Sequence, residues 1–236
     1  MELILNVSKN KIKQIDGVTI KRYNKRLEEY GLEAKTLGWG SKKDQLTRFE
    51  TATIYVNFAG KSVLDIGCGF ADFYEFLINN SIKIKKYKGI DINDKLIEVA
   101  KKRFPENKYE IRNILLNNYG KEQADIVTLF GLLNFKLEAG NPAYTKEMDT
   151  ETWKITKEML IVDFLSTHLT KEYPKEDFVY YHDPKAHSHF LLILPFLFQG
   201  LALDTGEHVN LRSSFYYSLL VSFFNITINS FCGIEG

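Results

Sequence analysis

The chain has 236 residues, of which 44% are hydrophobic and 26% are charged, enough for one α/β domain with a substantial core. Lysine and arginine number 31 against 30 aspartates and glutamates, so no overall attraction to nucleic acid is indicated. The two cysteines lie far apart and the N-terminal residues show no secretory signal. We therefore expect a cytoplasmic protein without a disulfide framework or a nucleic-acid partner.

Two helical segments are predicted before the first strand. Residues 18–31 combine charged residues with apolar ones at helical spacing, which is typical of an amphipathic surface helix that ends at Gly31. Solvation explains its basic cluster better than substrate binding does. Ser41 is placed to cap a second helix, which follows a glycine-flanked loop containing Trp39. Trp39 is equally consistent with packing and with a surface for substrate or cofactor.

The stretch 61–72 organises the rest of the chain. Its sequence, Lys-Ser-Val-Leu-Asp-Ile-Gly-Cys-Gly-Phe-Ala-Asp, predicts a buried strand, a tight turn and the start of a helix. Gly67 and Gly69 lack the Cβ that would keep a ligand away from the backbone. The helix that follows directs unpaired N–H groups at whatever lies over the turn. We therefore predict a cofactor site at the C-terminal end of a central parallel strand.

The glycine spacing distinguishes between cofactors. A dinucleotide-binding turn needs a third glycine at position 72, where this chain has Asp72, and this counts against a nicotinamide or flavin site. The pattern Asp65-x-Gly67-x-Gly69 instead resembles motif I of the class I S-adenosylmethionine-dependent methyltransferases. Asp91 ends the next predicted strand 24 residues beyond Gly67, as in that family. The resemblance covers about residues 15–185, and it implies S-adenosylmethionine as cofactor and S-adenosylhomocysteine as product.

The same resemblance implies roles for individual residues. Asp91 would accept hydrogen bonds from the ribose hydroxyls, and Arg48 would bind the cofactor's carboxylate, for which a guanidinium is well suited. Asn113 occupies the place of an acid that meets the adenine amino group, and its side-chain carbonyl could accept that bond. Phe130 would border the methionyl arm. The complete set of expected cofactor contacts is Arg48, Asp65, Gly67, Cys68, Gly69, Asp91, Ile92, Asn113, Ile114 and Phe130.

The pattern after motif I predicts a doubly wound, Rossmann-like, mostly parallel sheet behind the N-terminal helices. After the strand at the start of 61–72, expected strands are 86–92, 108–112, 124–131 and 160–165, and expected helices are 71–79, 93–104 and 144–158. Loops after the strand ends are where substrate residues belong in this fold. By residue type His168 is the best candidate for a general base, although a surface histidine without a catalytic role is favoured. The 37–41 loop and the 45–49 segment also resemble an uncharacterised bacterial subgroup of the family.

The composition changes near residue 186, and we predict residues 1–185 as helices plus cofactor-binding core and 186–236 as an atypical apolar segment. That segment contains no lysine. Histidines aside, its only charged residues are Asp204, Glu207, Arg212 and Glu235. Its apolar runs are too short or too interrupted for a membrane span. Three explanations stay open: a divergent pair of closing strands, a membrane- or partner-facing tail, or a translated change of reading frame.

The sequence thus predicts a methyltransferase acting on a small-molecule acceptor, the latter by elimination, since no Asn/Asp-Pro-Pro-Tyr/Phe motif is present. Two alternatives are an NAD(P)-dependent Rossmann oxidoreductase and a non-catalytic protein that binds S-adenosylmethionine. No metal site is expected, because His187-x-His189 has no convincing acidic or thiol partner. The sequence leaves open the acceptor, the catalytic base and the oligomeric state.

Overall fold

The computed structural model describes residues 7–117, 119, 122–138, 140–167 and 175–183, and the backbone of 217–223. Its α-helices are α1 (Lys9–Tyr30), α2 (Lys42–Tyr55), α3 (Asp72–Asn79), α4 (Asp94–Arg103) and α5 (Asn141–Lys154), with a short 3-10 helix at Ala34–Leu37. Its strands are β1 (Ser62–Ile66), β2 (Lys86–Asp91), β3 (Lys108–Ile111), β4 (Ala124–Leu129), β5 (Thr156–Leu165) and β6 (Tyr217–Phe223).

The strands form one sheet in the order β3-β2-β1-β4-β5-β6. All neighbouring pairs are parallel except β5 and β6, which are antiparallel. Consecutive side chains of β1 enter different core clusters: Val63 packs with the aromatic residues of α2 and α3, and Leu64 packs with Met148 of α5. The sheet is therefore covered on both faces, which confirms the predicted doubly wound α/β architecture.

Several element boundaries differ from the predictions. Helix α1 begins at Lys9 rather than at residue 18, because Ser8 caps it and the helix continues through Gly17. Gly17 has open space around it, and Ile12 in the added turns is buried, so tertiary packing outweighs the low helix propensity of glycine. Strand β5 likewise starts earlier than predicted, since Thr156 and the residues after it pair with β4.

Other local predictions are confirmed by the backbone. The Ser41 hydroxyl accepts a hydrogen bond from the Asp44 N–H at the start of α2, at 3.1 Å. Gly31 ends α1 with a positive φ of 59°. The Asn93 side chain caps α4 by accepting from the N–H groups of Lys95 and Leu96. These caps fix where each helix begins or ends relative to the sheet.

The C-terminal segment contributes β6, whose backbone pairs with β5 from Tyr217 opposite Leu165 to Phe223 opposite Met159. A closing antiparallel strand at this edge is what the family resemblance leads one to expect. Residues 184–216 and 224–236 lie outside the described part of the chain, so the three explanations of this segment stay predictions. Within the described residues, no helix combines the length and the hydropathy that a membrane span requires.

Candidate active site

A cavity lies at the carboxyl ends of β1, β2 and β4, where the strand order of the sheet reverses. In open α/β sheets this switch point is the usual place for a ligand. The cavity encloses about 1210 Å³, a figure that includes the space at its open mouth. Nine of the ten predicted cofactor contacts line it: Asp65, Gly67, Cys68, Gly69, Asp91, Ile92, Asn113, Ile114 and Phe130.

The turn after β1 adopts a conformation that requires its glycines. Gly67 and Gly69 have φ angles of 74° and 53°, in the left-handed region that side chains with a Cβ rarely adopt. A Cβ on Gly67 would lie 2.7 Å from Leu132 Cδ1, and one on Gly69 would lie 2.9 Å from Leu37 Cδ1. The Gly67 N–H donates to the carbonyl oxygen of Ile90 at 2.8 Å and thereby ties the turn to β2. The turn thus presents backbone rather than side chains to the cavity, with Leu132 and Leu37 packed close to it.

Asp91 is fixed at the end of β2 by two backbone donors. Its Oδ2 accepts from the Gly69 N–H at 3.1 Å and its Oδ1 accepts from the Asn93 N–H at 2.9 Å. Burial raises the pKa of Asp91, and these two backbone hydrogen bonds oppose that effect. Each carboxylate oxygen keeps acceptor capacity beyond these bonds, which suits a ligand with two adjacent hydroxyl groups.

Asp65, the acid of motif I, is held by side chains rather than by the backbone. Its two oxygens accept from the Tyr87 hydroxyl at 2.6 Å and from the Thr128 hydroxyl at 2.9 Å. Desolvation raises the pKa of Asp65 to about 6, although both hydrogen bonds favour the ionised form. Asp65 therefore connects β1, β2 and β4 beneath the glycine turn and also borders the cavity.

Asp72 occupies the position where a dinucleotide-binding turn would have its third glycine. Its side chain is buried and forms an ion pair with Arg103, at 2.6 Å. Its other oxygen accepts from the Gln45 amide at 2.8 Å. A charged side chain with two partners fills the space that a third glycine would leave open for close helix packing.

The predicted carboxylate-binding arginine has a protein partner. Arg48 is buried and forms an ion pair with Asp163 of β5, and its guanidinium lies 4.7 Å from the centre of the Trp39 ring. Asp163 also accepts from the Gly131 N–H in the loop after β4. Trp39 and Gly131 line the cavity, whereas Arg48 does not. The structure thus places Arg48 behind the cavity wall, and its contact with a cofactor carboxylate stays a prediction.

The cavity extends under two helices that the sequence did not connect with the site. Helix α1 contributes one face, Ile15, Asp16, Thr19 and Tyr23, and helix α5 contributes Asn141, Tyr144 and Met148. The spacing of the α1 residues, four apart along one helical face, was the available signal, but the helix was predicted to start at residue 18. Burial raises the pKa of Tyr144, which keeps its hydroxyl protonated and able to donate a hydrogen bond.

The remaining site predictions concern three histidines, the cysteine thiols and metal binding. His168 and the His187-x-His189 pair lie outside the described residues, as does Cys232. Cys68 is a free, buried thiol whose pKa is raised by desolvation, which disfavours the reactive thiolate. Among the described residues, no group of three His, Cys, Asp or Glu side chains is arranged to hold a metal ion.

Comparisons with known proteins agree with this geometry. Residues 64–148 match the family model of a methyltransferase domain. The fold is similar to that of magnesium protoporphyrin IX methyltransferase from Synechocystis PCC 6803 with bound SAH, with a TM-score of 0.53 and 14% identity over 76% of this chain and 85% of that chain. An S-adenosylmethionine-dependent methyltransferase from Clostridium acetobutylicum ATCC 824 aligns with a TM-score of 0.47 and 19% identity over 68% of this chain and 65% of that one. No curated protein matches the sequence.

Fold, cavity and domain match together define a methyltransferase domain on a Rossmann-like sheet. Residues 64–148 match a methyltransferase domain, as motif I at Asp65 to Gly69 predicts, and this match together with the fold supports S-adenosylmethionine as the cofactor.

Proposed function

We propose that the chain transfers the methyl group of S-adenosylmethionine, bound in this cavity, to a small-molecule acceptor. The observation that carries the proposal is the convergence of the Gly67 and Gly69 cradle with the Asp91 carboxylate at the switch point of the sheet. A backbone turn without Cβ atoms beside a fixed carboxylate suits a ligand that joins a flexible chain to a ribose.

The chemistry of the lining residues fits the three parts of this cofactor. The ribose hydroxyls would be held by Asp91, and the adenine would lie between the apolar side chains of Ile92 and Ile114. The methionyl part would follow the glycine turn toward Phe130, whose ring is braced by Phe73 at 4.8 Å between centroids. No displacement of a main-chain element is needed to expose these groups, because all of them already border the cavity.

The protein's contribution to methyl transfer would be mainly positioning. When bound, S-adenosylmethionine supplies an electrophilic methyl group on a sulfonium, so that the bond to sulfur breaks with a neutral thioether as leaving group. The walls would hold the acceptor atom about 3–3.5 Å from the reacting carbon and in line with that bond. Aromatic side chains, including Trp39 and Phe130, line this region and help to exclude water. The role of His168 as a general base stays a prediction.

Two observations favour a small acceptor over a polymer. The part of the cavity beyond the glycine turn lies beneath α1 and α5, and its wall there includes the apolar side chains of Ile15, Leu137 and Met148. A concave cavity with apolar side chains in its wall suits a compact molecule. The balance of 31 basic and 30 acidic residues provides no general attraction for a nucleic acid.

Turnover would test the proposal. The purified protein is incubated with methyl-labelled S-adenosylmethionine and, separately, with a small-molecule extract, bulk RNA or a protein fraction, and S-adenosylhomocysteine is quantified. We expect product formation that depends on the small-molecule extract. Stimulation by RNA or protein alone would contradict the acceptor class. Cofactor binding without turnover in any fraction would instead favour the non-catalytic alternative.

A further inference from the structure

The side-chain amide of Asn113 has a fixed orientation at the end of β3. Its Oδ1 accepts from the Leu115 N–H at 2.8 Å, which directs Nδ2 the other way. Nδ2 donates to both carboxylate oxygens of Asp16, at 2.7 and 2.9 Å. The expected acceptor for the adenine amino group is therefore already engaged by the backbone, and a carboxylate lies next to it.

Asp16 comes from α1, 97 residues away in sequence from Asn113, yet it lines the same cavity as Ile92 and Ile114. Its carboxylate has about four acceptor positions, and the amide of Asn113 uses one on each oxygen. Burial raises the pKa of Asp16, and the hydrogen bond from Asn113 is what opposes this effect. The ionised form of a partly desolvated carboxylate is stabilised by each hydrogen bond it accepts, so one more donor from a ligand would stabilise it further.

We infer that Asp16 accepts a hydrogen bond from the exocyclic amino group of the cofactor's adenine, so that helix α1 provides the contact that selects this base. The inference rests on the proposed cofactor site. An amino group donates to a carboxylate, whereas the carbonyl of a 6-oxopurine would oppose its lone pairs. Asp16 thus discriminates between the two bases, because it attracts the amino group of adenine and repels the carbonyl oxygen of a 6-oxopurine.

Helix α1 is braced on both sides of Asp16. Toward its N-terminus the Val7 N–H donates to the Glu147 carboxylate of α5 at 3.0 Å. Toward its C-terminus the Asn93 amide, at the start of α4, donates to the Asn24 side-chain oxygen, also at 3.0 Å. These contacts hold Asp16 over the end of β3, so the carboxylate is in place before the ligand arrives.

The test compares two ligands on four proteins by calorimetric titration. The ligands are S-adenosylhomocysteine and its 6-oxopurine analogue, S-inosylhomocysteine, and the proteins are the wild type, Asp16→Ala, Asp16→Asn and Glu29→Ala. Glu29 is an exposed acid on the same helix, so its variant controls for the loss of one negative charge. Asp16→Asn preserves the shape of the side chain, and its amide can donate to the 6-oxo group.

We expect the wild type and Glu29→Ala to prefer S-adenosylhomocysteine by about 10- to 100-fold, the range for a hydrogen bond to a charged group. Asp16→Ala should bind both ligands within about threefold of each other, and Asp16→Asn should gain affinity for the analogue relative to the wild type. Circular dichroism should show that both Asp16 variants are folded. If Asp16→Ala then still prefers S-adenosylhomocysteine over the analogue as strongly as the wild type does, the inference is overturned, while the cofactor site is unaffected. A wild type that binds neither ligand would refute the cofactor site itself and this inference with it.

Discussion

The two walls of the cavity are built by different means. The sheet wall consists of turns at the ends of β1, β2 and β3, with Gly67, Asp91 and Asn113 as its main residues. The helical wall consists of the inner faces of α1 and α5, represented by Asp16 and Tyr144. The sheet wall is specified by short motifs, since backbone conformation and a single acid define each turn. The helical wall exists only because distant segments pack together, so its residues have no local signature.

Buried carboxyl groups illustrate the same difference. Asp65, under the sheet wall, has a hydroxyl donor for each oxygen. Asp149, on α5, is also buried, but its Oδ1 has no hydrogen-bond partner among the described residues. Desolvation alone raises the pKa of Asp149 to about 7. Both oxygens of Asp65 are thus paired, whereas α5 carries a buried acid that costs stability when it ionises.

The largest expected effect on stability concerns Arg48, which supports the sheet wall through its ion pair with Asp163. Arg48→Ala should lower the free energy of unfolding by about 3–5 kcal/mol, because it leaves a buried carboxylate without its counter-ion. Urea denaturation measures this. The double variant Arg48→Ala/Asp163→Ala should lose less than the sum of the two single variants. Unchanged stability with a selective loss of S-adenosylmethionine affinity would instead assign Arg48 to the cofactor carboxylate.

The glycine turn permits a matched test of the sheet wall. Gly67→Val should weaken S-adenosylhomocysteine binding by at least about 100-fold, or roughly 2.7 kcal/mol, since the branched side chain enters the cradle. Gly60→Val is the control, because Gly60 has nearly the same φ, 73° against 74°, and open space around it. Both variants should lose thermal stability from backbone strain, and Gly67→Val should lose more, because its Cβ would also meet the Leu132 side chain. Equal affinities of the two variants in calorimetry would remove Gly67 from the cofactor site.

Replacement of Asp91 should weaken ligand binding somewhat less than the change at Gly67. Asp91→Ala removes charge-assisted hydrogen bonds to the ribose, so affinity should fall by about 10- to 100-fold, equivalent to roughly 1.5–3 kcal/mol. S-adenosylmethionine and S-adenosylhomocysteine should be affected equally, because they share the ribose. Parallel titrations with both ligands check this, and a loss confined to one of them would exclude the ribose contact.

The smallest expected change is in the stability of an Asp149 variant, and this change depends on pH. The folded protein binds the proton of Asp149 up to about pH 7, and the unfolded chain releases it near the ordinary value of 3.8, so stability decreases as pH rises between these values. Asp149→Asn should therefore be more stable than the wild type at pH 8 by at least about 1 kcal/mol, the equivalent of one pKa unit.

Urea denaturation at pH 5 and pH 8 measures this difference, which should be larger at the higher pH. The exposed Asp177 provides the control variant, Asp177→Asn, for which no such gain is expected. A lower stability of Asp149→Asn at pH 8 would show that the carboxylate has a favourable partner.

The sequence predicted the sheet wall well and the helical wall poorly, and the reason is physical. Gly67, Gly69 and Asp91 were found because a tight turn and a strand end restrict which residues fit. Asp16 was missed because the helix was predicted to begin only at residue 18, after Gly17, and because its partner Asn113 is remote in sequence. Arg48 was predicted to bind the cofactor's carboxylate, and nothing near it in the sequence indicates its ion pair with Asp163.

Calorimetric titration of the wild-type protein with S-adenosylhomocysteine, in parallel with NAD⁺, tests the central claim most directly. We expect one S-adenosylhomocysteine to bind per chain with an affinity in the micromolar range or tighter, and no heat of binding for NAD⁺. Absence of S-adenosylhomocysteine binding, or saturable binding of NAD⁺ that S-adenosylhomocysteine does not displace, would contradict the assignment of this cavity to S-adenosylmethionine.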